Sequence, residues 1–196
     1  MDPWNPLLDT WFGEPADAAT LARRQAALWW SKDEAVDRQL AERFGALQRQ
    51  AAEGELDDWC WQPRSCLALL LLLDQLPRNT CRGEPAAFAQ DGRAQQLCLE
   101  GLAHGHDTHL LPIERLFFYL PLEHAESLEL QDLSVALFER LFEHHPHAPF
   151  GDYLDFARRH RDIIARFGRF PHRNAILGRE SSESELAFLE EPGTSF

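Results

Sequence analysis

Lysine is almost missing from this 196-residue chain: Lys32 is the only one, and every other basic side chain is an arginine. GC-rich coding produces the same bias, so arginine abundance alone marks no site. Valine and isoleucine are scarce while leucine and alanine abound, which favours helix over sheet. The four cysteines, Cys60, Cys66, Cys81 and Cys98, form no CxxC pair. That excludes a zinc knuckle or a redox dithiol and fits reduced thiols in the cytoplasm. There is no GxxxxGK[ST], GxGxxG or GxSxG. The run from Cys66 to Leu73 is too short to span a bilayer, and Asp74 ends it. The start, Met1-Asp-Pro-Trp-Asn-Pro, has no basic region leading into an apolar one. The formal net charge of -13 repels nucleic acid and anionic membrane. A cytoplasmic protein is therefore expected, with neither nucleic acid nor membrane as a partner.

What is present is helical. The length suits one domain with a real core. Leu7 to Phe12 is a short apolar segment, and Thr20 to Trp30 is either a helix or a loop carrying an aromatic anchor. Ser31 and Glu34 fit a capping box, followed by Val36, Leu40, Phe44, Leu47 and Ala51 on one face up to Gly54. A helix from Pro63, apolar almost all round, should sit centrally and end near Gln75, because Pro77 disfavours helical backbone at Leu76. Further helices are expected from Pro85 to Leu102, from Ile113 to Leu120 where Pro121 cuts it, from Ser127 to His145 and from Asp152 to Phe167. A second capping box at Ser182 and Glu185 opens a last short one. This makes seven or eight helices in one domain, 1–189, with a loose tail, 190–196. The N-terminal tryptophans are expected to cover the core.

Several groups carry candidate chemistry. His160-Arg161-Asp162 matches a kinase triplet, but Phe167 stands where that motif needs Asn. His104, His106 and His109, and His144, His145 and His147, fall in loops or at helix ends; no metal site is assigned to them. His124 and Glu126 follow Pro121 and can serve as acid and base. Residues 158–179 hold seven arginines against Asp162. Such arginines can bind a carboxylate, a phosphate or an acidic peptide. They can equally pair internally with Asp74, Asp91, Glu114 or Glu126.

Four stretches, LDQLPRNTCRG, AFAQD, ERLFFYLPLEHAE and HRDIIARFGRFPHRNAILGRESS, resemble in order the bacterial domain-of-unknown-function 924 family. The similarity runs from about Trp11 to Leu189. It implies an all-α, tetratricopeptide-like right-handed superhelix and no particular activity. Leu76, Ala125 and Ser182 stand where that family usually has Phe, Ser and Thr, and Ala125 removes any serine chemistry there.

The leading expectation is a binding module for a small anionic ligand or an acidic protein or peptide partner. Its cleft would be formed by Asp74, Arg78, Asn79, Arg82, His124, Glu126, Arg169, His172, Arg173 and Asn174. The alternatives are a hydrolase or lyase using His124 or His172 with Glu126 or Asp74, and a scaffold whose motifs are structural. No cofactor is expected, and oligomeric state stays open.

Overall fold

The computed structural model describes residues 2–194. The expected loose tail extends to Ser195 and Phe196, which lie outside the described residues. Within it, the Thr194 hydroxyl donates to the Glu191 carbonyl.

Among the described residues the regular structure is entirely helical. The helices are α1 (Asn5–Phe12), α2 (Ala18–Trp30), α3 (Glu34–Glu53) and α4, which starts as Pro63–Leu70, widens into a π turn over Leu71–Gln75 and resumes as Leu76–Thr80. Then follow α5 (Asp91–Ala103), α6 (Pro112–Glu123), α7 (Leu128–His144), α8 (Phe150–Phe167) and α9 (Glu183–Leu189). These nine exceed the expected seven or eight because both N-terminal segments are helical.

Glycine caps and the Ser182 box stand where the sequence puts them. Gly54 (φ 87°) and Gly168 (φ 71°) adopt the left-handed conformation that ends α3 and α8. Ser182 Oγ accepts from Glu185 N–H, while Glu185 Oε2 accepts from Ser182 N–H.

Four boundaries differ from expectation. Asp33, not Ser31, caps α3, its Oδ1 accepting from Ala35 and Val36 N–H. Ser31 instead closes α2, with its hydroxyl donating back to the Ala27 carbonyl. Pro77 does not end α4, for Leu76 stays helical at φ −57°, ψ −44°. The preceding π turn, with Leu76 N–H bonded to Leu71 O, widens the ladder where the proline ring needs room. Pro121 lies inside α6, where tight burial of Leu116 to Leu122 outweighs the lost N–H. The helix expected from Pro85 is a 3-10 turn, Pro85–Phe88, and α5 begins only at Asp91.

Consecutive helices pack on one another, α6 on α7 and α7 on α8, as in a stack of helix pairs, with α4 against α5 and α6. Residues 65–77 of α4 are all buried. Phe117 anchors the N-terminal aromatics: Trp11, Phe12 and Trp29 place their rings 5.5, 5.5 and 4.7 Å from it. Most of that cluster is core, as expected, while Trp30 stays half exposed. Ile163, Ile164, Phe170 and Phe188 form a second, C-terminal cluster.

Ala94, Cys98 and Gly101 form a small buried face on α5, and the Cys98 thiol donates to the Phe118 carbonyl. A Cβ on Gly101 would lie 2.5 Å from Phe118 Cζ. Gly101→Ala gains about 1 kcal/mol of helix propensity. It meets a fully buried ring, and overpacking of this kind costs about 1–3 kcal/mol. The variant is expected to unfold at lower denaturant concentration than the parent; an increase would show that Phe118 can yield.

Candidate functional site

The π turn and the last turn of α4 deliver Asp74, Gln75 and Arg78 to one polar cluster. Asp74 is 1% exposed. Its Oδ2 accepts from Gln75 Nε2 at 2.6 Å, and its Oδ1 lies 2.7 Å from His124 Nδ1 and 3.2 Å from Arg78 Nη1. Arg78 then reaches Asp91, at the first turn of α5, with both guanidinium arms at 2.9 Å. Asp91 Oδ2 also takes Arg173 Nη1 at 3.2 Å. One chain of polar contacts thus joins His124, Asp74, Arg78, Asp91 and Arg173. Both ends, His124 and Arg173, line an open cleft of about 360 Å³ shared with Phe88, Gln95, Glu126 and Ser127.

Arg173 is held by its surroundings. Its guanidinium carbon lies 4.4 Å from the Phe170 ring centre and 4.7 Å from that of Phe88. Nε is buried and has no hydrogen-bond partner among the described residues. Burial and the neighbouring Arg78 pull its pKa down to about 10, and Asp91, Glu126 and Asp74 offset this only in part.

Protonation in the cluster follows from the same geometry. Burial would raise the Asp74 carboxyl, but Arg78 and His124 reverse that and hold it well below the usual carboxylate range. Burial and Arg78 lower the His124 pKa, with Asp74 opposing, so the ring is neutral near pH 7. A carboxylate can only accept, so Nδ1 carries the ring hydrogen and Nε2 is the unprotonated nitrogen. Beneath this pair, His160 Nδ1 donates to the Phe156 carbonyl and sits 3.3 Å from Glu123 Oε1. Burial brings His160 down to about 3, while burial and then Asp74 push Glu123 up to about 8. Burial and Arg173 bring His172, whose ring packs against Phe170, down to about 4.

Of the ten residues expected at the site, Asp74, Arg78, His124 and Arg173 share the chain of contacts, and Glu126 shares the cleft. Glu126 is itself engaged, accepting Phe170 N–H at 2.8 Å and both arms of Arg179 at 2.7 and 2.9 Å. Asn174 accepts from Arg179 Nε and donates to Ser181 Oγ, which secures the C-terminal loop. Three residues point elsewhere. Asn79 and Arg82 both bind Asp37 and tie α4 to α3. Arg169 grips Glu185 with two bonds and the Glu180 carbonyl with a third, anchoring α9.

Internal pairing takes up five of the seven arginines of 158–179: Arg173 pairs with Asp91 and Arg179 with Glu126, while Arg158, Arg161 and Arg169 pair with Glu139, Asp132 and Glu185; Asp74 serves Arg78. Glu114 pairs instead with Arg64. The sequence reading did not place Phe88, Gln95, Ser127, Glu123 or His160 at the site. The AFAQD stretch was the available signal for Phe88, since its motif aspartate, Asp91, proved to be the bridge. No group of three or more metal-ligating side chains is found among the described residues. Nor is any helix among them long and apolar enough to cross a membrane.

The solved structure of a protein of unknown function, ATU0120 from Agrobacterium tumefaciens, is similar to this chain over 89% of its length and 99% of the other's, at 41% identity and a TM-score of 0.77. No curated protein matches. A family model described as bacterial protein of unknown function, DUF924, matches residues 7–193. With nearly every described residue inside that match, and with a 41% identical neighbour on the same helical frame, the chain belongs to the DUF924 family.

Proposed function

We propose that this chain is a cytoplasmic binding protein for a small carboxylate, taken up in the cleft between the Pro85–Phe88 turn, His124 and the Pro171–Arg173 turn. The observation that carries this reading is the uncommitted Nε edge of Arg173. A buried donor without a partner costs about 1–3 kcal/mol. A planar carboxylate matches a guanidinium edge with parallel hydrogen bonds. The depressed Arg173 pKa points the same way, since burial and Arg78 outweigh the nearby acids and an added anion would relieve the imbalance. The reading is narrower than a four-arginine cradle, because Arg78, Arg82 and Arg169 already hold protein carboxylates. Four free cysteines accord with a reducing compartment.

The test is calorimetric titration and thermal unfolding with a series of mono- and dicarboxylates and inorganic phosphate. Wild type is expected to bind at least one carboxylate saturably and to gain melting temperature by mass action. Arg173→Lys keeps the charge and loses the planar fork, so affinity should fall about tenfold or more, on the order of one lost charge-assisted bond. Equal affinity in a folded Arg173→Lys variant would refute the assignment.

A further inference from the structure

The cleft holds a second feature that simple binding does not use. His124 is fixed by Asp74 through Nδ1 at 2.7 Å, and Asp74 is fixed in turn by Gln75 and Arg78. Nε2, the basic nitrogen, makes no hydrogen bond to any described residue, on a ring that lines the cleft. An imidazole whose far nitrogen is oriented by a buried carboxylate is the arrangement that prepares a general base: the carboxylate selects the tautomer and stabilises the cation formed on proton uptake. The cleft lining offers no thiol. Its one hydroxyl, on Ser127, caps α7 by accepting Leu130 N–H. With no thiol in the lining and its one hydroxyl engaged as a helix cap, the use of Nε2 that needs no further protein group is to take a proton directly from the bound ligand.

We infer that His124 Nε2 is a general base that removes a proton from the carbon beside the carbonyl of a 2-oxo carboxylate bound at Arg173, with Asp74 as its positioning residue. This rests on the carboxylate-binding reading above. A histidine is too weak a base to deprotonate an ordinary C–H group, so the substrate needs a carbonyl next to that carbon to take up the charge. The C3–H bond breaks, the proton passes to Nε2, and the electron pair moves into the carbonyl to give an enolate. The Arg173 cation stands as its counter-charge. Return of a proton from His124 regenerates the oxo acid, so the cycle consumes no other reactant. In deuterated water the proton held on Nε2 exchanges with solvent through the open cleft, and its return as deuterium labels C3.

The experiment is proton NMR of pyruvate, 2-oxobutyrate and 2-oxoglutarate in deuterated water with the whole protein, alongside thermal unfolding with the same acids. Wild type is expected to exchange C3 hydrogen. His124→Gln should lose about 10²–10⁴ of that rate while keeping the ligand-induced rise in melting temperature. The rate should climb with pH through the His124 pKa and then level off. The charged and titratable groups around that ring are Asp74 and Arg78 on α4, Asp91 on α5, Glu123 at the end of α6 and Glu126 just after it, His160 on α8, and His172 and Arg173 on the turn after it. Asp74→Asn removes the group that favours the imidazolium, so the acid limb should move to lower pH and the plateau should fall. A merely structural role for Asp74 would leave that limb in place. Binding of these acids with exchange no faster than in His124→Gln overturns the base and leaves the binding reading standing. Absence of any carboxylate binding overturns both.

Discussion

Asp91→Asn is expected to destabilise the protein by about 3–5 kcal/mol, the usual cost of removing one partner from a buried ionic group. Asp91 is the only carboxylate among the described residues that bonds both Arg78 and Arg173. Its loss leaves Arg78 bonded to Asp74 and Arg173 with no bonded carboxylate, and neither guanidinium can move far, since both lie over the Phe88 ring. At roughly 2–4 °C per kcal/mol for a chain of this size, the melting temperature should drop by about 6 °C or more. Carboxylate affinity should change in the opposite direction, because a second edge of Arg173 becomes available. Denaturant unfolding at pH 7 together with calorimetric titration checks both signs. A loss below about 1 kcal/mol would mean the cluster relaxes into water more easily than its burial suggests.

Glu123→Gln is expected to remove a weakness on the alkaline side. Glu123 is 4% exposed, and burial followed by the Asp74 charge raises its carboxyl from 4.5 to about 8. A carboxyl with a raised folded-state pKa contributes fully below the unfolded value and loses that contribution as pH climbs toward the folded one. Wild-type stability should therefore fall between about pH 4.5 and 8. Glutamine has nearly the shape of the protonated acid and does not titrate. At pH 5 the variant should match wild type within about 1 kcal/mol, and at pH 9 it should be more stable by more than about 2 kcal/mol. His160 acts on the other flank. Burial lowers it from 6.5 to about 3, so stability is lost as pH drops through that window, in the variant as in wild type. Unfolding curves from pH 4 to 9 separate the two limbs. A parallel decline of both proteins above pH 5 would remove Glu123 as the cause.

Local signals were legible in the sequence, and signals overridden by packing were not. Gly54, Gly168 and the Ser182 box act within one helical turn, so no distant residue is needed to place them. Pro77 and Pro121 carry equally strong local signals, yet both lie inside helices, because the apolar residues around them gain more from burial than each proline costs. Asp74, Asp91 and Glu126 were readable as acids able to pair with the arginines. The individual partners were not, because the short segment from Arg78 to Arg82 faces two networks. Arg78 turns toward α5 and Arg82, just beyond the helix end, toward α3. The Glu123–His160 pair was hidden for another reason. Its members are 37 positions apart, and only the packing of α8 against α6 brings them together.

The widened turn at Leu71–Gln75 is, in the language of waves, a phase slip. An α-helix advances its side chains by about 100° per residue, so one additional residue in a single turn rotates everything beyond it by about that angle relative to everything before it. Upstream of the slip, Cys66 to Leu70 keep the phase that suits an apolar surround. Downstream, Arg78 arrives at the azimuth of Asp91. A single helix thereby serves two environments whose angular requirements differ, and the polar cluster owes its position to a mismatch of one residue in the middle of the most deeply buried segment of the fold.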